Sequence, residues 1–192
     1  MEPLFAILAG GRATRMSGNK ATAELGGRPL ISYPLEAAHA AVAEIVIVAK
    51  PDTDLPPVEV PVLREPPQPV HPLCGIVTAL EHVKDRPVIA IAADMPFLTG
   101  ELLAWMEGLP DPLAVPAVGG RLHPLLGRYG PELIEPLKSA LKAASALQET
   151  VASLGPRELT ADDLAPFGDP DTLLFNVNTP DDLARAEREL RA

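Results

Sequence analysis

A single cysteine, Cys74, stands among 192 residues, so the chain cannot close a disulfide within itself and nothing in it asks for an oxidising compartment. No apolar run approaches the roughly 20 residues that span a bilayer. The opening Met1-Glu2-Pro3 lacks a basic n-region, so Leu4–Leu8 is expected to be a first strand and not the core of a signal peptide. Positive charge is in deficit: 16 Lys and Arg against 26 Asp and Glu leave a net charge of −10. That balance argues against a general nucleic-acid or acidic-membrane surface. Zinc-ligand spacing is absent, and His39 and His82 fall in helical patterns. The chain shows no internal repeat, low-complexity tract or linker, although it holds 23 prolines. These absences predict one cytoplasmic domain, with a core of ordinary size for the length.

The charge that is present is unevenly placed. Residues 1–28 carry Arg12, Arg15, Lys20 and Arg28 against Glu2 and Glu24, a local excess of positive charge in an acidic chain. Such a segment suits one local anion site. Around it, apolar strand-like runs alternate with helical spacing, which predicts an α/β fold: helices on both faces of a mainly parallel, doubly wound sheet. Leu4–Leu8, Glu44–Ala49, residues 88–93 and Leu113–Val118 read as strands, with a short one at 58–63. Residues 122–129 read as one antiparallel return after the Gly119-Gly120 turn. Helices are expected from Pro29, over 74–83, behind the cap Thr99, along the stripe Ile134, Leu137, Leu141 and Ala144, and from Thr179-Pro180-Asp181-Asp182. Residues 146–172 read as a small helix-and-strand excursion, and 175–178 as a short strand or turn.

Two segments carry chemistry. Leu8-Ala9-Gly10-Gly11 runs directly from the first strand, and glycines there let backbone N–H groups approach an anion closely. Arg15 and Lys20 can add charge-assisted hydrogen bonds to phosphate oxygens. Asn19 follows Gly18 where a Walker A loop needs Lys, and the Rossmann G-x-G-x-x-G spacing is missing, so the loop belongs to neither group. The second segment is Asp94, which ends the apolar run 88–93 at the same sheet edge. A carboxylate facing a triphosphate calls for a cation, and a hard oxygen ligand there suits Mg²⁺.

Taken together, these residues resemble a known family. Leu-Ala-Gly-Gly, then Arg15-Met16, Gly18 and Lys20, followed by Gly26-Gly27-Arg28-Pro29-Leu30-Ile31, is similar to the signature of nucleotidyltransferases that activate sugars, alcohols and pterins. Within them the chain most resembles the molybdenum cofactor guanylyltransferases. That likeness extends through His71-Pro72-Leu73-Cys74-Gly75-Ile76, Asp94-Met95-Pro96-Phe97-Leu98, His123-Pro124-Leu125 and Phe175-Asn176-Val177-Asn178-Thr179-Pro180-Asp181-Asp182.

The resemblance implies a Rossmann-like nucleotidyltransferase fold, with a nucleotide-binding half over about 1–98 and an acceptor-binding half over about 99–192. It implies Mg²⁺-dependent transfer of GMP from GTP to Mo-molybdopterin, with release of pyrophosphate. Leu8, Ala9, Gly10, Gly11, Lys20, Glu65, Gly75 and Asp94 would bind the nucleotide. Arg15, Lys20 and Asp94 would be catalytic, Asp94 would hold the metal, and Asn176, Asn178 and His123 would face the acceptor. A monomer is implied, in transient contact with cofactor-biosynthesis proteins or molybdoenzymes.

Three positions depart from the family pattern. Asn19 stands for an acidic residue, Glu65 for an aspartate, and Val48 for an asparagine, with Lys50 nearby. The last two leave guanine and cytosine both open. A cytidylyltransferase on the same pterin, a sugar-phosphate nucleotidylyltransferase and a non-catalytic nucleotide- or pterin-binding carrier are the alternatives.

Overall fold

The computed structural model describes residues 1–10, 22–41 and 44–191. Strand β1 (Leu4–Leu8) is followed by a hairpin of β2 (Glu24–Leu25) and β3 (Arg28–Pro29), then helix α1 (Ser32–Ala41), β4 (Glu44–Ala49) and β5 (Val62–Arg64). Helix α2 (Leu73–Val83), β6 (Val88–Ala92), α3 (Gly100–Glu107), β7 (Leu113–Val118), β8 (Arg121–Leu122) and β9 (Leu126–Tyr129) come next. The chain closes with α4 (Ile134–Lys142), α5 (Leu147–Ser153), β10 (Arg157–Leu159), α6 (Ala161–Leu164), α7 (Pro170–Leu173) and α8 (Pro180–Glu189).

Among the described residues the main sheet runs β10-β7-β9-β6-β1-β4-β5, with β8 paired to β7 off this path. β6, β1, β4 and β5 are mutually parallel, and β9 lies antiparallel between β6 and β7. The expected single antiparallel return holds along the main path, and β8 adds a second short antiparallel pairing. The return is split because Pro124 has no N–H to give a ladder, and a turn closed by Leu126 N–H to His123 O (2.9 Å) takes its place.

Strand alternation builds two cores from one sheet. Phe5, Ile7, Ile45, Ile47, Ile89 and Ile91 point to one face, with Ala38 of α1 and Leu102 and Met106 of α3. Leu4, Ala6, Val46, Val48, Val88 and Ala90 point to the other, against Ile76 and Leu80 of α2 and Leu137 of α4. With side chains alternating at period two, each strand needs apolar residues throughout, which is why these runs are unbroken. A third cluster joins Leu25 and Leu30 at the hairpin to Val177 and Ala186.

Some boundaries differ from expectation. Pro29 pairs with Glu24 in the hairpin, so α1 opens at Ser32. β5 begins at Val62 and not at 58, since Pro61 offers the sheet only its carbonyl, which accepts from Ile47 N–H at 2.9 Å. Residues 175–178 form no strand. α4 stops at Lys142, short of Ala144, whose φ of 53° ends the stripe. Among the described residues no helix is long and apolar enough to cross a membrane.

The sheet order reverses at β1. From there the chain moves outward through β4 to β5, then returns to place β6 on the other side. Ligands of open α/β sheets bind in the crevice at such a switch point, beyond the carboxyl ends of the strands.

Candidate active site

The register of the central strands levels the residues that leave them. Leu8 pairs with Val48 on one side and with Ala92 on the other, so Gly10, Lys50 and Asp94 emerge together, each two residues further on. Ala9 N–H to Val48 O (2.8 Å) and Ala93 N–H to Leu8 O (3.2 Å) prolong the sheet into the floor of a cavity. That cavity, of about 330 Å³, is lined by Leu8, Ala9, Gly10, Glu65, Gly75 and Asp94, together with Val48 and His71. Of the predicted nucleotide set, all the members that fall among the described residues meet there. Gly11, Arg15 and Lys20 lie outside the described residues.

Glu65 is 4% exposed although it lines the cavity. β4 and β5 pair Ala49 with Arg64, and Glu65 N–H continues the ladder to Ala49 O at 3.0 Å, which brings Lys50 and Glu65 side by side. Lys50 Nζ stands 3.5 Å from Glu65 Oε1. Burial pushes the Glu65 carboxyl above its usual range, and the Lys50 ammonium draws it partly back. Two glycines make room for it. A Cβ on Gly10 would overlap Glu65 Oε1, and one on Gly75 would lie 3.0 Å from Leu8 Cδ2 and 3.6 Å from Glu65 Oε2. Cys74, 2% exposed, gives its Sγ–H to Pro69 O at 3.1 Å, and burial raises its thiol pKa, so it acts as a small packed residue.

A second cavity, of about 700 Å³, opens on the far side of Asp94 and is lined by His123, Asn176 and Asn178, the predicted acceptor residues. Asp94 and Leu125 line both cavities. Asn176 Nδ2–H donates to Leu174 O at 2.8 Å, and Asn178 N–H donates to Asp182 Oδ2 at 3.0 Å. Thr179 caps α8 in a reciprocal box: its hydroxyl accepts from Asp182 N–H, while the Asp182 carboxylate accepts from Thr179 N–H at 2.9 Å. The His123 backbone N–H donates to Pro116 O (2.8 Å), and the buried Tyr129 hydroxyl fixes the same turn by donating to Pro124 O at 2.6 Å. Burial first, then Arg121, lowers the His123 imidazole pKa, so it is neutral at pH 7.

The sequence reading missed Arg121, Gln148 and Arg185, which also line the second cavity. Arg185 lies with its guanidinium 4.7 Å from the Phe175 ring centroid, and Phe175 packs 6.1 Å from Phe97. The only available signal was helical: Arg185 falls one turn after Asp182 on α8.

Asp94 is 8% exposed and presents a hard oxygen donor where the two cavities join. Among the described residues no group of three His, Cys, Asp or Glu could enclose a metal. A single carboxylate fits Mg²⁺, which keeps several waters and takes further oxygens from phosphates.

Comparison with known proteins follows the same lines. The profile of the family described as MobA-like NTP transferase domain matches residues 5–159. A molybdenum cofactor guanylyltransferase of Cereibacter sphaeroides is 36% identical over 192 residues, covering 96% of this chain and 95% of that protein. The molybdopterin-guanine dinucleotide biosynthesis protein A of Archaeoglobus fulgidus shares the fold at a TM-score of 0.83, with 24% identity and 98% of each chain covered. The 2-C-methyl-D-erythritol 4-phosphate cytidylyltransferase of Thermus thermophilus shares it at 0.72, with 22% identity and 100% of each chain covered.

Proposed function

We propose a function from one premise: this chain belongs to the family of MobA-like NTP transferases. It transfers GMP from GTP to molybdopterin carrying molybdenum, giving a guanine dinucleotide form of the cofactor and pyrophosphate. The observation that carries this reading is Asp94, one carboxylate shared by a cavity of nucleotide size and a larger polar one. Group transfer between two substrates needs both reacting ends at one point, and Asp94 marks that point.

In this reading the base of GTP lies toward Glu65 and Gly75. The phosphates lie toward Leu8, Ala9 and Gly10, with Gly11, Arg15 and Lys20 completing their contacts. Asn176, Asn178 and His123 face the acceptor. A terminal phosphate oxygen of the acceptor attacks the α-phosphorus in line, the bond to the bridging oxygen breaks, and pyrophosphate leaves. The chain supplies alignment and compensation of developing charge. Asp94 would hold Mg²⁺, which when bound supplies Lewis-acid charge neutralisation at the phosphates. The neutral His123 imidazole can accept or donate a hydrogen bond without adding charge.

The test is pyrophosphate release with GTP, CTP and ATP, each with and without molybdopterin and Mg²⁺, with the dinucleotide product identified by mass. Release with GTP that requires molybdopterin is expected. Release with CTP instead would make the chain a cytidylyltransferase, and nucleotide binding without release would make it a carrier.

A further inference from the structure

Lys50 is buried behind the nucleotide cavity, at 6% exposure, and of the Lys50–Glu65 pair it is Glu65 that lines the cavity. The Lys50 ammonium is tethered from outside: Nζ donates to Pro66 O at 2.6 Å and to Pro69 O at 3.1 Å, and the Lys50 carbonyl accepts from Arg64 Nη1 at 2.8 Å. Those tethers fix the ammonium 3.5 Å from Glu65 Oε1. The carboxylate is in turn confined between Gly10 and Gly75. The pair is therefore held in place, and of the two it is Glu65 that borders the cavity, on a wall that includes Leu8, Val48 and His71.

We propose that Lys50 is a positioning residue for the choice of base: it keeps the Glu65 carboxylate ionised and fixed, so that the cavity accepts a base edge with two adjacent N–H donors. This rests on the reading of that cavity as the nucleotide site. An ionised carboxylate only accepts hydrogen bonds, and two parallel N–H donors bind it bidentately. Guanine offers that edge, with N1–H beside the 2-amino group. Cytosine sets an amino group beside the N3 lone pair, and adenine sets one beside N1, so each turns a lone pair against one carboxylate oxygen. Hypoxanthine keeps N1–H and lacks the amino group. Lys50 draws the buried Glu65 carboxyl toward its ionised form, and its loss favours the protonated form, whose one donor and one acceptor are the pattern that cytosine and adenine complement.

The experiment is equilibrium binding of GTP, ITP and CTP to the full chain with Mg²⁺ and no acceptor, for wild type, Lys50→Met, Glu65→Gln and the double variant Lys50→Met/Glu65→Gln. Wild type is expected to bind GTP most tightly. Lys50→Met should weaken GTP by roughly 10- to 100-fold, the size expected for charge-assisted hydrogen bonds, and CTP by far less. The GTP-to-CTP ratio therefore contracts, a change that general loss of structure would not produce. The double variant leaves no lone buried charge and should fold even where Lys50→Met does not, with the same contracted ratio. Equal weakening of all three nucleotides by Lys50→Met, or a ratio in the double variant that differs from that of Glu65→Gln alone, overturns the role of Lys50; a wild-type ratio in the double variant overturns the pairing of Glu65 with guanine. A wild-type chain that prefers CTP overturns the pairing of Glu65 with guanine, and one that binds no nucleotide overturns the reading of the cavity itself.

Discussion

Val177 donates its backbone N–H to the backbone carbonyl of Asp94 at 2.9 Å. The bond ties the segment ahead of α8 to the residue that follows β6, although the two lie far apart in sequence. Val177 is fully buried with Leu25, Leu30 and Ala186, so packing as well as this backbone bond holds its neighbours Asn176 and Asn178 at the cavity that Asp94 also lines. The two cavities thus share one backbone anchor.

Asp94→Asn keeps that anchor and the side-chain shape while removing the charge. Turnover should fall by roughly 10²–10³, as for loss of one electrostatic contact to the transition state. The melting temperature should stay close to wild type. Pyrophosphate release under saturating substrates measures the first and calorimetry the second; activity near wild type would rule Asp94 out as the metal-holding group.

Thr179→Ala removes the cap of α8 and one half of its reciprocal box. The cost should be about 1 kcal/mol, or roughly 2–4 °C in melting temperature for a chain of this size. Because Asn178 N–H shares the Asp182 carboxylate, the acceptor KM should rise with it. A stability loss with unchanged acceptor KM would separate the cap from the site.

Gly10→Ala sets a Cβ onto the Glu65 carboxylate, while its backbone has no need of a positive φ. The damage should therefore depend on side-chain length. Glu65→Asp, shorter by one methylene, should relieve much of it, giving a double-mutant coupling of order 1 kcal/mol in GTP binding. Additive effects of the two substitutions would show that the carboxylate is not where the crowding occurs.

The stability of the fold should carry a pH signature from Glu65. Its folded pKa is raised above the usual value near 4.5, burial outweighing Lys50. A raised carboxyl binds its proton more tightly when folded, so its contribution is fully present below about 4.5 and is lost as pH rises through the folded value. Lys50→Met removes the opposing ammonium and extends that loss to higher pH; Glu65→Gln abolishes it. Cys74 also feels Lys50 and Glu65, but burial raises its thiol pKa further above the acid range, so differences between the three urea-melt profiles on the acid side report Glu65. Parallel profiles for Lys50→Met and wild type would contradict the coupling.

Arg185→Gln should raise the KM for the acceptor by roughly 10- to 100-fold if the guanidinium over Phe175 meets the acceptor's negative charge. GTP binding without acceptor should stay at the wild-type level. Equal losses on both substrates would mean that Arg185 serves the packing of α8.

Much of this was legible along the chain because it is written in local pattern. The run 88–93 closed by Asp94 and Pro96 gave a buried strand with a carboxylate at its end, and Thr179-Pro180-Asp181-Asp182 gave a capped helix, because strand periodicity and caps depend on neighbours a few residues apart. The Leu8-Ala9-Gly10 exit from β1 was readable for the same reason. Lys50 and Glu65 were visible only as two separate departures from a pattern. Their meeting depends on the Ala49–Arg64 register, which two strands settle between them across a proline-rich connection. Arg185 came to line the second cavity because α8 docks on the hairpin cluster around Leu25, and Asp94 came to border two cavities because β9 slots antiparallel beside β6. Local sequence decided which segments would be strands, helices and caps; non-local burial and strand order decided which side chains would share a site.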